Sequence, residues 1–96
     1  MSRNEIVTLI LDALHMANQA RDDDQQLTVS PDALLFGNGG QLDSMGLVAL
    51  IMDIEEALGE VGYNIILTNE RAMSQAQSPF KDVPSLATYI EEHLAD

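Results

Sequence analysis

Three stretches of the chain repeat aliphatic side chains every three or four residues, the spacing that places them on one side of an α-helix. They cover about residues 3–20, 44–58 and 83–95. The repeated side chains are Ile6, Leu9, Ile10, Ala13, Leu14 and Ala17, then Leu47, Leu50, Ile51, Ile54 and Leu58, then Val83, Leu86, Ile90 and Leu94. Within 96 residues, this pattern predicts one all-α domain over residues 1–96, a small bundle of three to four helices.

Residues that favour helix ends border each stretch. Ser2 or Asn4 can cap the first helix, Asp43 the second and Asp82 the third, because these side chains accept hydrogen bonds from first-turn N–H groups. Gly59 is expected to stop the second helix. Between the second and third helices, residues 65–67 are predicted to be extended and residues 68–76 to form a short, minor helix.

Residues 21–42 are predicted to form a long loop. Its Asp22–Gln26 segment has no apolar period, and it contains turn residues at Ser30–Asp32 and a glycine-rich stretch at residues 37–40. Five apolar side chains interrupt it and are expected to anchor it on the core: Leu27, Val29, Leu34, Leu35 and Phe36. Long ordered loops in small domains are often functional.

The formal charge is −12, from 16 acidic and 4 basic residues. This excess argues against binding nucleic acid or an anionic membrane and favours protein partners with basic patches. The absence of Cys excludes disulfides and Cys-based metal or redox sites. Without a long apolar run or a signal peptide, a cytoplasmic monomer is expected. No metal site is predicted, since an EF-hand loop starting at Asp22 would have Leu27 and Ala33 where Gly and Glu are needed. A diffuse divalent-ion site at Asp22–Asp24 is left as an alternative.

The segment Leu42-Asp43-Ser44-Met45 places a serine at the first position of the second predicted helix. First-turn N–H groups have no intrahelical acceptor, and the positive end of the helix dipole lies there. The position of Ser44 therefore suits a serine that carries a phosphoester. A hydrolase is not indicated, because Asp43 adjoins Ser44 and serves as a cap, whereas the acid of a catalytic triad orients a histidine.

This segment, followed by an acidic helix, resembles the attachment motif of acyl carrier proteins, and the order of helices resembles theirs along nearly the whole chain. The resemblance implies that a phosphopantetheinyl transferase attaches 4′-phosphopantetheine from coenzyme A to Ser44. The thiol of this arm would hold an acyl group as a thioester. Asp43 would be both a helix cap and a contact to the magnesium-bearing site of the transferase. The protein would be a carrier and not an enzyme.

The resemblance also implies that the second helix docks partner enzymes, namely an acyl ligase, a synthase or an acyltransferase in fatty-acid, lipid or polyketide biosynthesis. Met45, Val48 and Met52 would make apolar contacts, since they lie off the core stripe. Glu55, Glu56 and Glu60 would meet basic residues of the partner. Surface ion pairs contribute under about 1 kcal/mol each, so these charges would mainly orient the partner.

Two positions depart from the family pattern. Gly46 and Ala49 stand where acyl carriers usually have acidic residues two and five positions after the serine. A glycine inside a helix costs about 1 kcal/mol relative to alanine, which suggests a close approach of other atoms at Gly46. These departures favour a specialised carrier over the general fatty-acid carrier. An aminoacyl or peptidyl carrier, and a non-covalent acidic interaction module, remain as alternatives.

Overall fold

The computed structural model describes residues 2–36, 40–64 and 80–94, with residue 44 described only by its place in a helix. This part of the chain forms α1 (Arg3–Gln19), α2 (Ser44–Glu60) and α3 (Val83–Leu94). A short 3-10 turn, Asp23–Gln25, follows α1. The described residues form isolated β-bridges but no strand. The predicted all-α bundle with a long first loop is confirmed.

Two predicted elements, the extended piece at residues 65–67 and the minor helix at residues 68–76, lie outside the described residues. No helix in the described ranges is both long enough and apolar enough to cross a membrane.

The predicted apolar stripes form the core. All five stripe residues of α2 are buried in one core with residues of α1 and α3, and α1 packs against both other helices. Leu9, Ala17 and Leu94 are only partly buried at the edges of this core. Phe80 adds a fully buried aromatic ring just before α3 and makes an edge-to-face contact with Tyr89 at 5.6 Å between ring centroids. The helical period therefore identified the core of the bundle correctly.

Ser2, and not Asn4, caps α1. The Ser2 hydroxyl accepts from the Glu5 backbone N–H at 3.2 Å, and the Glu5 carboxylate accepts from the Ser2 backbone N–H at 3.1 Å. This reciprocal pair is a capping box, which satisfies two N–H donors that the first turn leaves without partners. The hydrogen bond from the Ser2 backbone N–H to the Glu5 carboxylate holds the pKa of Glu5 below its usual value. The interaction with the Ser2 side chain lowers this pKa further.

Arg3 joins α1 to α3. Its guanidinium forms an ion pair with Glu91 at 2.8 Å, donates to the Thr88 hydroxyl at 3.0 Å and donates to the Pro84 carbonyl at 3.0 Å. Asp82 caps α3 as predicted, since its carboxylate accepts from the Ser85 backbone N–H at 2.8 Å. The start of each described helix is therefore fixed by side-chain hydrogen bonds close to the chain position that the sequence indicated.

The predicted stop of α2 at Gly59 is wrong. The helix continues through Gly59 to Glu60, and Val61 is its C-cap. Gly62, with φ of +97°, follows directly. A left-handed backbone ends a helix and is easily adopted only by glycine, so the second of the two glycines, and not the first, has the geometry that ends α2.

The predicted anchors of the long loop are correct in part. Leu27 and Leu35 are buried and Phe36 is partly buried, but Val29 and Leu34 are 40% and 50% exposed. Successive side chains in extended chain point to opposite sides. Because Leu35 points into the core, its neighbour Leu34 faces solvent, and Ala33 is buried instead.

Two side-chain amides hold the loop to its surroundings. Asn18 accepts from the Leu27 backbone N–H at 2.6 Å and donates to the Leu27 carbonyl at 3.0 Å. Gln41 makes the same pair of bonds to Thr28, accepting at 2.7 Å and donating at 3.2 Å. These paired bonds satisfy backbone N–H and C=O groups of the loop that have no partner in a helix or a sheet. The Gln41 bonds also fix the segment that leads into α2.

Backbone hydrogen bonds join the loop to the starts of α2 and α3. The Leu35 N–H donates to the Lys81 carbonyl at 2.8 Å, and the Leu35 carbonyl accepts from the Leu42 N–H at 2.8 Å. The Val83 N–H donates to the Ala33 carbonyl at 3.0 Å. This set of bonds, here called the loop junction, holds the first residues of α2 and α3 against the same loop segment.

Changing Glu5 to Gln should give a pH-dependent loss of stability. A carboxyl group whose pKa is lower in the folded state stabilises the fold above its unfolded pKa, and this contribution disappears as pH falls through the folded pKa. The wild-type protein should therefore be more stable than Glu5→Gln near neutral pH, and the two should converge in acid. Urea denaturation at a series of pH values measures the difference.

Glu92→Gln is the control for the loss of one negative charge, because Glu92 is exposed on α3. Subtracting its effect isolates the capping box from the general repulsion in an acidic protein. If Glu5→Gln and Glu92→Gln changed the free energy of unfolding by the same amount at every pH, the Glu5 carboxylate would not stabilise α1.

Candidate functional site

Asp43 begins α2 as predicted. Its backbone is extended, with φ −86° and ψ 180°, and its side-chain oxygen accepts from the Gly46 N–H at 2.7 Å. The Asp43 carbonyl accepts the first helical bond, from the Leu47 N–H at 2.9 Å. Ser44 is consequently the first residue of the helix, the position that the sequence predicted for it.

The first turn of α2 has the electrostatic properties of an anion site. Asp43 satisfies the Gly46 N–H, while the Met45 N–H, one residue earlier, has no acceptor within the helix. The partial positive charge of the helix end adds to this donor capacity. Anionic groups, phosphates in particular, are stabilised at such helix ends.

Arg21 lies beside this turn. Its Nη2 atom is 3.6 Å from the position that a Cβ would occupy at Gly46, and its Nη1 donates to the Gln25 carbonyl at 3.4 Å. Arg21, Gly46 and Leu42 line a cavity of about 540 Å³ between the end of α1 and the start of α2. A strongly acidic chain thus places one of its four basic residues beside the first turn of α2, at Gly46.

Gly46 is in close contact with the cap. A Cβ at this position would lie 3.1 Å from the Asp43 side-chain oxygen and 3.3 Å from a methyl carbon of Leu42. Most Cβ atoms have more room than this. The close approach that the sequence suggested is therefore present, and its partners are the cap and the residue before it.

Gly40 is required by the loop junction, a role that the sequence did not indicate. A Cβ at Gly40 would lie 2.7 Å from the Leu35 carbonyl oxygen and within 2.9 Å of two Phe36 backbone atoms. Because all three are backbone atoms, no side-chain rotation relieves the clash. The chain can pass this close to the loop junction, just before α2, only with glycine.

An exposed apolar surface follows the first residue of α2. Met45 is 82% exposed and Met52 is 59% exposed, although both belong to a helix whose other side is completely buried. With Val48 and Ala49 they line a shallow, almost wholly apolar depression of about 350 Å³. These four residues are here called the apolar face. The structure confirms that Met45, Val48 and Met52 lie off the core and brings them together.

The three predicted acidic partners lie on the same helix in different settings. Glu56 is exposed one turn beyond Met52, while Glu55 is half-buried and makes an interaction with another group. Glu60 is exposed and borders a groove between α1 and α2. Asp53 lines the same groove. Glu56 is thus the acidic group placed most directly for a partner on the apolar face.

Replacing Gly59 by Ala should raise the free energy of unfolding by about 0.5–1 kcal/mol, because alanine is favoured over glycine inside a helix. The added Cβ would meet only the Asn64 side chain, at 3.6 Å. Gly46→Ala should give less than half this gain, since its Cβ would crowd Asp43 and Leu42. Urea denaturation of both variants measures the two effects. An equal gain at both positions would show that Gly46 is not constrained by the cap.

Comparisons of the chain with protein-family models, with curated proteins and with solved structures gave no match. Membership of the acyl carrier family therefore stays a prediction that rests on the residues around Ser44 and on the order of the helices.

Proposed function

We propose that the protein is an acyl carrier that holds intermediates as thioesters on a 4′-phosphopantetheine arm attached to Ser44. It acts as a monomeric cytoplasmic carrier and is not itself an enzyme. A phosphopantetheinyl transferase loads the arm, and an acyl ligase, synthase or acyltransferase with a basic docking patch uses it. The observation that carries the proposal is that α2 begins at Ser44, directly after a capping aspartate.

The start of α2 supports a phosphodiester at this position. The helix end favours negative charge there, and the Arg21 guanidinium lies beside the same turn, at Gly46. The Asp43 side chain already accepts from the Gly46 N–H. The Met45 N–H has no acceptor within the helix, so it can donate to another oxygen. The phosphate of the arm would supply such an oxygen without disturbing the cap.

The apolar face supports a transient docking role next to the arm. Exposed methionines adapt their shape to different partners, and Glu56 stands beside them as a charge for orientation. Surface charges raise association rates more than they raise affinity, which suits a carrier that visits several enzymes in turn. Because Met45 adjoins Ser44 in the sequence, a partner bound there would be close to the attachment point.

The replacement of two customary acidic positions by Gly46 and Ala49 supports a specialised carrier. Ala49 belongs to the apolar face, and Gly46 is held against the cap. The partner is therefore expected to present a more apolar docking surface than a partner of the general fatty-acid carrier. The cargo is proposed to be an acyl chain of fatty-acid or polyketide type, with an aminoacyl group as the alternative.

A second candidate function is a non-covalent interaction module. The formal charge of −12 and the exposed Met45 and Met52 are favourable for binding a basic protein surface whether or not Ser44 is modified. The two functions differ in a single chemical respect, since only the carrier requires an ester bond at Ser44.

Loading with coenzyme A, magnesium and a broad-specificity phosphopantetheinyl transferase should add one thiol to each chain. The chain has no Cys, so a colorimetric thiol assay has no background from the protein, and intact mass spectrometry should show the gain of one arm. Ser44→Ala should abolish both signals. The expected stoichiometry is about one thiol per chain, because the arm carries a single thiol.

Ser85→Ala is the matched control, because Ser85 also lies in the first turn of a helix capped by an aspartate, Asp82. This variant should load as the wild type does. Failure of the wild-type protein to gain an arm with several transferases would overturn the carrier proposal and favour the non-covalent module. If Ser44→Ala loaded as well as the wild type, the arm would be attached at another residue.

Substitutions of Asp43 should separate its two proposed roles. Asparagine caps a helix about as well as aspartate, whereas alanine costs roughly 1 kcal/mol. We expect Asp43→Asn to keep the stability of the wild type but to load more slowly, because its side chain cannot bring negative charge to a magnesium-bearing site. Asp43→Ala should lose both stability and loading rate. Thermal melts and initial loading rates measure the two effects.

Wild-type loading by Asp43→Asn would show that Asp43 acts as a helix cap alone. Loading of Asp43→Ala is compared at a temperature where the variant is still folded, so that a slower rate reports on the contact with the transferase.

A further inference from the structure

A second surface of the molecule lies away from Ser44, in the groove between α1 and α2. The end of α1 borders the start of α2, because Arg21 approaches Gly46, so the two helices run antiparallel. The groove has a volume of about 580 Å³. Asp53, the first groove residue on α2, is roughly 14 Å along the helix axis from Ser44 at 1.5 Å per residue. This groove is here called the α1/α2 groove.

The floor of the α1/α2 groove is apolar. It is formed by Leu9, Ala13 and Met16 of α1 with Ala57 of α2 and the C-cap residue Val61. Met16 and Val61 are 61% and 56% exposed. Exposed apolar surface of this kind, bordered by polar groups, is typical of an interaction site.

The rims of the groove are acidic on both sides. Glu5 and Asp12 lie on α1, and Asp53 and Glu60 on α2. Each pair is seven residues apart, which is close to two helical turns or about 10 Å. Since the helices are antiparallel, one carboxylate from each helix lies toward each end of the groove.

No basic side chain balances these carboxylates within the described part of the chain. The single ion pair there joins Arg3 to Glu91, and Arg21 donates to the Gln25 carbonyl. None of the described residues that line the groove is basic. Within the described part of the chain, the groove carboxylates therefore have no basic side chain beside them, and a partner can supply positive charge.

The arrangement of the rims indicates what the partner is. The two carboxylates on each helix lie about 10 Å apart, and within the described residues no three acidic or histidine side chains are close enough together to hold a metal ion. This spacing favours positive charge that is distributed along the groove. A second copy of the chain would bring another −12 against the same rims. An α-helix meets both requirements, because one stripe can enter the apolar floor while basic residues on either side reach the rims.

We propose that the α1/α2 groove binds an amphipathic helix of a partner protein, with an apolar stripe on the floor and Lys or Arg on both flanks opposite Glu5, Asp12, Asp53 and Glu60. This binding does not require a modified Ser44. The groove and the apolar face share no lining residue.

The probe is a synthetic helical peptide of about 18 residues, long enough for the roughly 10 Å between carboxylates, with a leucine stripe and flanking lysines. Two control peptides replace the lysines by glutamates or the leucines by serines. Titration into the isotope-labelled full chain, followed by two-dimensional NMR, should shift groove resonances such as those of Asp12, Met16 and Ala57. Neither control peptide should bind at the same concentration.

Charge variants test the site quantitatively. Asp12→Asn with Asp53→Asn should weaken binding of the lysine peptide by about five- to tenfold at low salt, as expected for two exposed ion pairs. Asp24→Asn with Glu92→Gln removes the same number of charges at exposed positions outside the groove and should change the Kd less than about twofold. Ser44→Ala should leave the Kd unchanged. Fluorescence anisotropy measures all three, and circular dichroism verifies that each variant is folded.

Three results would overturn the proposal. The first is an equal loss of affinity in the two double variants, which would show diffuse attraction to an acidic protein. The second is chemical shift changes confined to the apolar face around Met52. The third is concentration-dependent dimerisation that involves the groove, measured by sedimentation. Failure of arm loading at Ser44 is an independent result, since the peptide titration needs no arm.

Discussion

The hydrogen bonds of Leu35 connect the segment that leads into α2 to the segment that leads into α3. Its backbone joins Lys81, just before α3, to Leu42, just before α2, and its side chain is fully buried. The position of Asp43 and of the apolar face depends on this contact, because Asp43, the N-cap of α2, directly follows Leu42. Gly40 belongs to the same arrangement, since no side chain fits against Leu35 and Phe36 there. The candidate attachment site is therefore fixed by contacts distant in sequence.

The helices could be predicted from the sequence because their determinants are local. The spacing of aliphatic residues identified the buried sides of α1, α2 and α3, and the caps Asp43 and Asp82 were correct. The end of α2 was not, because Gly59 and Gly62 look alike in sequence and differ only in backbone conformation. The exposure of Val29 and Leu34 could not be predicted either, since it depends on which side of an extended segment meets the core.

Part of the candidate site followed from the sequence and part required the fold. The place of Ser44 after Asp43 and the exposure of Met45 and Met52 are properties of one helix and were predicted from its period. The approach of Arg21 to Gly46 joins residues 25 positions apart, and no local pattern encodes it. The paired amide bonds of Gln41 are equally non-local. Asparagine and glutamine in a loop do not reveal which backbone they will bind.

The contact of Arg3 with α3 brings the start of α1 close to the end of α3. Glu91, its partner, is three residues from the end of that helix, about 5 Å along the axis. The first residues of α1 and the last residues of α3 therefore lie close together. Domains with this geometry can be spliced into an exposed loop of a host protein, or rejoined end to end and opened elsewhere, with little change in their packing. Reporter proteins joined next to Arg3 and next to Leu94 would lie side by side.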